Sequence, residues 1–86
     1  MPELCRFFKI IIRIHYDEHP PPHFHAEYQG KRAMFSIATG KIIKGNFPKQ
    51  QAILVSAWAV LRKRELTEAW NAIMAEKEPK KIEPLK

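Results

Sequence analysis

The chain has 86 residues, 45% of them apolar and only three of them glycine. That length allows one small domain with one core, and the apolar content excludes a disordered composition. Fifteen Lys and Arg against nine Asp and Glu give a net charge of +6, which favours polyanionic or acidic partners. Because no window of about 18 apolar residues and no signal-peptide pattern is present, we expect a cytoplasmic protein without a membrane partner.

Apolar and polar residues alternate in the first half of the chain, as they do in β-strands. From Phe8 to Tyr16 every even-numbered residue is apolar, which predicts a first strand with that face in the core. The three prolines at 20–22 end this strand, because proline has no amide hydrogen for the ladder. Turns are predicted at Gln29-Gly30 and Thr39-Gly40. The three further strands predicted around these turns cover residues 23–28, 31–38 and 41–44.

The second half has helical periodicity in two phases. Leu54, Trp58 and Leu61 follow one phase, and a second set that includes Trp70 follows another, so both tryptophans are predicted in the core. The change of phase across residues 62–64 predicts two helices, 48–62 and 65–76. The expected fold is α+β, with a four-stranded antiparallel sheet in the order ββββαα and both helices packed on one face. Residues 1–76 would form this single domain, and 77–86 a flexible basic tail.

All four histidines lie between residues 15 and 25, most of them in the motif HPPPHFHAEY. The apolar faces of the first two strands coincide if Tyr16 pairs with Phe24 and Ile14 with Ala26. The opposite face then pairs Asp17 with His23, His15 with His25, and Arg13 with Glu27. The residues predicted on that face are Arg13, His15, His23, His25, Glu27, Arg32 and Ser36.

Three kinds of site are compatible with this face. Paired imidazoles suit acid–base chemistry, so His15, His23 and His25 are candidate catalytic residues of a metal-independent ribonuclease. The candidate nucleic-acid-binding residues are Arg13, Arg32, Arg62, Lys63 and Arg64. In the second interpretation, the His-x-His pair binds a divalent ion together with His15 and an acid. In the third, the histidines are structural or belong to an interface.

The only cysteine, Cys5, excludes an internal disulfide and a multi-cysteine zinc module. It lies near the start of a predicted strand, and we expect an inert thiol rather than a nucleophile. No cofactor is predicted, and the acid–base interpretation needs no metal.

The sequence resembles the small bacterial proteins of domain-of-unknown-function family 4160. The resemblance covers about residues 2–72 and rests on RFFKIIIRIHYDEHPPPHFHAEY, TGKIIKGNFPKQQ and VSAWAVLRKRELTEAW. Its specific element is the Pro-Pro-His-Phe-His-Ala run, so it directs attention to His23 and His25. Family members are short cytoplasmic proteins, often encoded beside a small protein of family 2442, which implies a comparison with type II toxin–antitoxin pairs.

These observations together predict a component of a toxin–antitoxin-like pair that binds RNA or a cognate small protein encoded nearby. A histidine-dependent ribonuclease would be its enzymatic form. The alternatives are a non-enzymatic interaction module and a divalent-metal-binding protein. The interaction module would use its sheet edge, its helices and its basic surface to bind an acidic partner or to form a homo-oligomer.

Overall fold

The computed structural model describes residues 2–86. Within them, five strands form a single antiparallel sheet in chain order, followed by two helices. The strands are β1 (Glu3–Phe7), β2 (Ile10–Arg13), β3 (His23–Tyr28), β4 (Lys31–Ser36) and β5 (Ile42–Gly45), and the helices are α1 (Lys49–Leu61) and α2 (Lys63–Met74). The α+β class is confirmed, but the prediction of four strands is wrong.

The additional strand arises from a hairpin turn at Phe8 and Lys9. Both residues have positive φ angles, 49° and 65°, as a type I′ turn requires at its two central positions. Glycine and asparagine usually occupy such positions, and because neither is present here, the alternation predicts one continuous strand. The turn places Phe7 in the core and leaves Phe8 56% exposed, so Phe8 is not the core residue that the sequence predicted.

The pairing of β2 with β3 differs from the predicted register by two residues. Ile12 lies opposite Ala26, where Ile14 was expected, and Arg13 lies opposite His25. A shift of two keeps every side chain on its predicted face, because faces alternate with a period of two. β2 ends at Arg13, so Tyr16 lies beyond the strand and is 48% exposed instead of packing in the core.

The core lies between the sheet and the helices. Ile10, Ile12 and Ile14 are fully buried, as the even-numbered pattern predicted. The Trp58 ring of α1 packs against Phe7 and Phe24, with ring centroids 5.5 and 5.7 Å apart. Side chains of this size contribute roughly 1.5–3 kcal/mol each when fully buried, so these contacts hold α1 on the sheet.

The two helices meet at Arg62, where the backbone departs from helical geometry. This is where the change of apolar phase predicted a break. Beyond the break, the buried face of α2 consists of Leu66, Ala69, Trp70 and Ile73. Trp58 and Trp70 are therefore both core residues, as predicted.

Residues 77–86 contain neither helix nor strand, yet they contact the core. Ile82 is buried, and its amide donates a hydrogen bond to the Leu4 carbonyl at 3.0 Å. The Trp58 indole donates to the Glu83 carbonyl at 2.8 Å. These contacts attach the segment to β1 and α1, while its flexibility remains a prediction. Within residues 2–86, neither helix is both long and apolar enough to cross a bilayer.

Candidate functional site

The loop between β2 and β3 brings the histidines together. Ile14 is fully buried at its start, and its amide donates a hydrogen bond to the Pro2 carbonyl at 3.1 Å. At its end, the Ile37 amide donates to the Pro22 carbonyl at 3.1 Å. Both ends of the loop are thus anchored, which places His15 beside β3.

Glu18, in the middle of this loop, contacts both histidines of the His-x-His pair. Its Oε1 accepts a hydrogen bond from His25 Nε2 at 2.7 Å, and its Oε2 lies against His23 Nε2. The second contact is close but is not aligned as a hydrogen bond. One carboxylate therefore fixes two rings that β3 places on the same face.

Two opposing effects act on the pKa of Glu18. Burial raises it, because burial penalises the charged carboxylate. The hydrogen bond from His25 and the charges of His23 and His25 lower it and outweigh burial, so the pKa lies below its ordinary value. Glu18 is therefore ionised near neutral pH and acts only as a hydrogen-bond acceptor.

His23 is the buried member of the cluster, with only 3% of its surface exposed. Its Nδ1 lies 2.7 Å from the Pro21 carbonyl, and its ring packs against Trp70 of α2 with centroids 5.4 Å apart. The predicted pairing of His23 with Asp17 is wrong, since Glu18 occupies that position and Asp17 is exposed. His23 is thus closed off from solvent and supports Glu18.

His15 and His25 are half-buried and in ring contact, with centroids 4.0 Å apart. Within residues 2–86, neither ring nitrogen of His15 makes a hydrogen bond. Burial, followed by the positive charge of His25, lowers the pKa of His15. A lone pair on His15 is therefore available to a proton or a ligand.

A cleft of about 280 Å³ opens beside these two rings. Arg13 and Arg32 line it, on either side of Glu27. Arg13 Nη1 lies 2.7 Å from Glu27 Oε1, and Arg32 Nε lies 3.8 Å from the same oxygen. The predicted contact between Arg13 and Glu27 is present although the two residues are not directly opposite in the sheet, because the long arginine side chain reaches diagonally across the strands. The cleft is therefore lined with cationic groups next to imidazoles.

The basic residues at the helix break lie elsewhere. Arg62 lines a different cavity together with Trp58 and residues 83–86, and its Nη1 lies 3.3 Å from Glu65. Lys63 and Arg64 are exposed on α2. None of the three lines the histidine cleft, so the structure brings Arg13 and Arg32 to the histidines but not residues 62–64.

Sequence reasoning missed Glu18, the residue that links the cluster. The alternation of a continued strand predicted Asp17 as the partner of His23. Because β2 ends at Arg13, residues 17 and 18 lie in a loop, where alternation does not predict which side chain faces the histidines. Glu18 could have been suspected only because it is an acidic residue close in sequence to the His-x-His pair, in a loop that contains three prolines. Cys5 lies apart from the site, and burial raises the pKa of its thiol to about 12, which agrees with the expected inert thiol.

The fold and the site define a small α+β protein with a histidine–glutamate cluster at one edge of a basic cleft. The profile of the family described as Domain of unknown function (DUF4160) matches residues 10–71, and the chain belongs to this family. The match includes the whole cluster and the cleft, but not β1 or the C-terminal segment. No curated protein and no solved structure matches the chain.

Proposed function

We propose that the protein binds single-stranded RNA at the histidine cleft and cleaves it, as one component of a toxin–antitoxin-like pair. The observation that supports this most strongly is the contact between His15 and His25, 4.0 Å between centroids, in a cleft shared with Arg13 and Arg32. Metal-independent RNA cleavage needs two proton-transfer groups and a cationic phosphate site within one such cleft.

The two histidines would have different roles. His15 accepts the proton of a ribose 2′-hydroxyl, and the 2′-oxygen then bonds to the adjacent phosphorus. The bond from phosphorus to the 5′-oxygen breaks, and His25 gives that oxygen a proton. The products are a 2′,3′-cyclic phosphate and a 5′-hydroxyl. The hydrogen bond between His25 Nε2 and Glu18 Oε1 holds this ring in place, so that Nδ1 would serve the substrate.

Arg13 and Arg32 would bind the phosphate. Arg32 is largely exposed, whereas Arg13 is held by Glu27, so the two differ in mobility. Glu27 neutralises one of the two charges, and the remaining positive charge favours an oxyanion. Because both residues lie on strands, the phosphate position is fixed relative to the imidazole of His25, opposite Arg13 in the sheet.

The test is cleavage of a DNA oligonucleotide containing a single ribonucleotide, with EDTA present. We expect scission only at the ribonucleotide, with a cyclic-phosphate end. His15→Ala and His25→Ala should each slow it by about 10²–10⁴-fold. His19→Ala is the matched control, because His19 is exposed in the same loop and should leave the rate unchanged. No scission by the wild-type protein, or equal rates for all variants, would reject the proposal.

A second candidate function, binding the cognate small protein without catalysis, is supported by an apolar face on α1. Ile53, Val60 and Leu61 are 60–69% exposed there. From Tyr28 to Arg64 the chain contains eight Lys or Arg and no acidic residue, so an acidic partner would be favoured. Co-purification of the two co-expressed proteins should be lost in Ile53→Asp/Leu61→Asp and kept in His15→Ala/His25→Ala. Loss in both variants, or in neither, would reject binding through this face.

A further inference from the structure

We propose that His15, Glu18 and His25 form a binding site for a divalent transition-metal ion, with zinc(II) the best match. One donor atom from each of the three residues lies within 4.8 Å of the other two, and all three are half-buried. The sequence interpretation had His23 and His25 bind the ion together with His15 and an acid. The structure keeps His15 and His25, identifies Glu18 as the acid, and leaves His23 out of the set.

The donor set matches zinc chemistry. Two imidazole nitrogens and one carboxylate oxygen are a common protein contribution to catalytic zinc sites, at bond lengths of about 2.0–2.2 Å. Such bonds separate neighbouring donors by roughly 3.4 Å in a tetrahedron. Donor atoms that lie within 4.8 Å of one another would have to approach by at most roughly 1.4 Å to reach that separation. The ion would take the place of the proton that His25 and Glu18 now share at 2.7 Å.

His23 would hold the Glu18 carboxylate in position without binding the ion itself. It contacts the second carboxylate oxygen of Glu18, which leaves Oε1 directed toward His25 and the ion. Its other ring nitrogen lies 2.7 Å from the Pro21 carbonyl, and Trp70 packs on its ring. Groups that orient a ligand in this way are typical of metal sites and tune their affinity.

The cleft leaves a coordination position open. His15 and His25 both line it, so an ion between them would face the cleft and take water or a further ligand there. The guanidinium of Arg13, which lies opposite His25 in the sheet, is paired with Glu27 at 2.7 Å, and this pairing reduces its repulsion of a cation. Three protein ligands with one open position characterise catalytic zinc sites rather than structural ones.

This inference stands independently of RNA cleavage. Zinc would occupy the lone pair of His15 that metal-free cleavage needs, so it should inhibit that reaction. Metal binding is measured without RNA, and cleavage is measured with EDTA. Either proposal can therefore fail alone.

The experiment is calorimetric titration of untagged, EDTA-stripped protein with ZnCl₂, followed by the visible absorption of the Co²⁺-loaded protein. We expect one ion per chain and the intense bands of four- or five-coordinate Co²⁺. His15→Ala, Glu18→Gln and His25→Ala should each weaken zinc binding by more than about tenfold, whereas the control His19→Ala should not change it.

Absence of zinc binding by the folded wild-type protein would overturn the proposal. So would an equal loss of affinity in His19→Ala and His25→Ala, or full affinity in Glu18→Gln. Circular dichroism checks that each variant is folded. If an alanine variant fails to fold, Glu18→Gln and His15→Gln decide the result, because both keep side-chain size and remove one ligand.

Discussion

Glu18 Oε1 accepts a hydrogen bond from His25 Nε2 at 2.7 Å, and this contact joins the loop after β2 to the middle of β3. Because the same carboxylate also lies against His23, one loop residue determines the position of two strand residues. His15 then packs on His25 from the other side, with centroids 4.0 Å apart. Glu18 therefore connects the loop to both histidines of β3, beside the cleft that His15 and His25 line.

Replacing Glu18 with glutamine should lower the free energy of unfolding in a pH-dependent way. The pKa of Glu18 is lowered in the folded state, so its stabilisation is fully present above the unfolded pKa and is lost as pH falls through the folded pKa. The difference between wild type and Glu18→Gln should thus be largest near neutral pH and shrink in acid. Urea unfolding at several pH values, with EDTA present, measures it. A difference that grows in acid would contradict the account.

A matched control for this experiment is Glu68→Gln on the exposed side of α2. Glu68 lies 3.7 Å from Arg64, and both side chains are mostly exposed. Exposed pairs of this kind contribute about 0–1 kcal/mol. The control should therefore change stability little at any pH.

The turn between β1 and β2 should be improved by Phe8→Asn/Lys9→Gly. Both positions have positive φ, which asparagine and glycine adopt more easily than phenylalanine and lysine. Because Phe8 is mostly exposed, little packing is lost, and we expect stabilisation of roughly 1 kcal/mol, seen as a higher Tm. The second hairpin turn, at Gln29-Gly30, also has positive φ at both positions but already has its glycine, so Gln29→Asn should raise Tm less. A lower Tm for the double variant would argue against the hairpin.

Ile82→Ala should destabilise the protein although it lies in a segment without helix or strand. The Ile82 side chain is 5% exposed within the core cluster, and truncating a buried isoleucine costs about 2–5 kcal/mol. Thermal unfolding measures the effect, with the exposed Lys80→Ala as control. If Ile82→Ala unfolds at the wild-type temperature, the segment does not pack as described.

The Cys5 thiol should react with a thiol reagent only after unfolding. Burial raises its pKa to about 12, so almost no thiolate exists at pH 8 in the folded protein. We expect modification by a disulfide reagent to be slow in buffer and rapid in denaturant. Rapid modification in buffer would show that β1 opens easily.

The shared side of His23 and His25 was predictable because it depends only on parity within β3. The expectation that His23 lies away from the helices is wrong, because its ring packs against Trp70 of α2. β3, its turn and β4 begin where the alternation and Gln29-Gly30 indicated, although β4 ends at Ser36 rather than Ala38. The exact register was not predictable, since a shift of two residues leaves the pattern unchanged. The β1–β2 turn was not predictable either, because Phe8 and Lys9 have none of the usual turn chemistry.

The composition of the cluster was only partly predictable. His15 was expected opposite His25 on a strand, whereas it contacts His25 from the loop after β2. The separation of His23 from solvent depends on Trp70, which is distant in sequence. The role of Glu18 depends on a loop path that no periodicity describes. These contacts are tertiary, and they decide which histidines reach the cleft.

Binding of RNA at the histidine cleft can be tested by an NMR titration. The ¹⁵N-labelled protein would be titrated with a short single-stranded RNA whose 2′-hydroxyls are methylated, so that it cannot be cleaved. We expect the largest amide shifts at four residues that line this cleft, Arg13, His15, His25 and Arg32. Shifts concentrated at residues 62–64, or no saturable shifts at all, would contradict it.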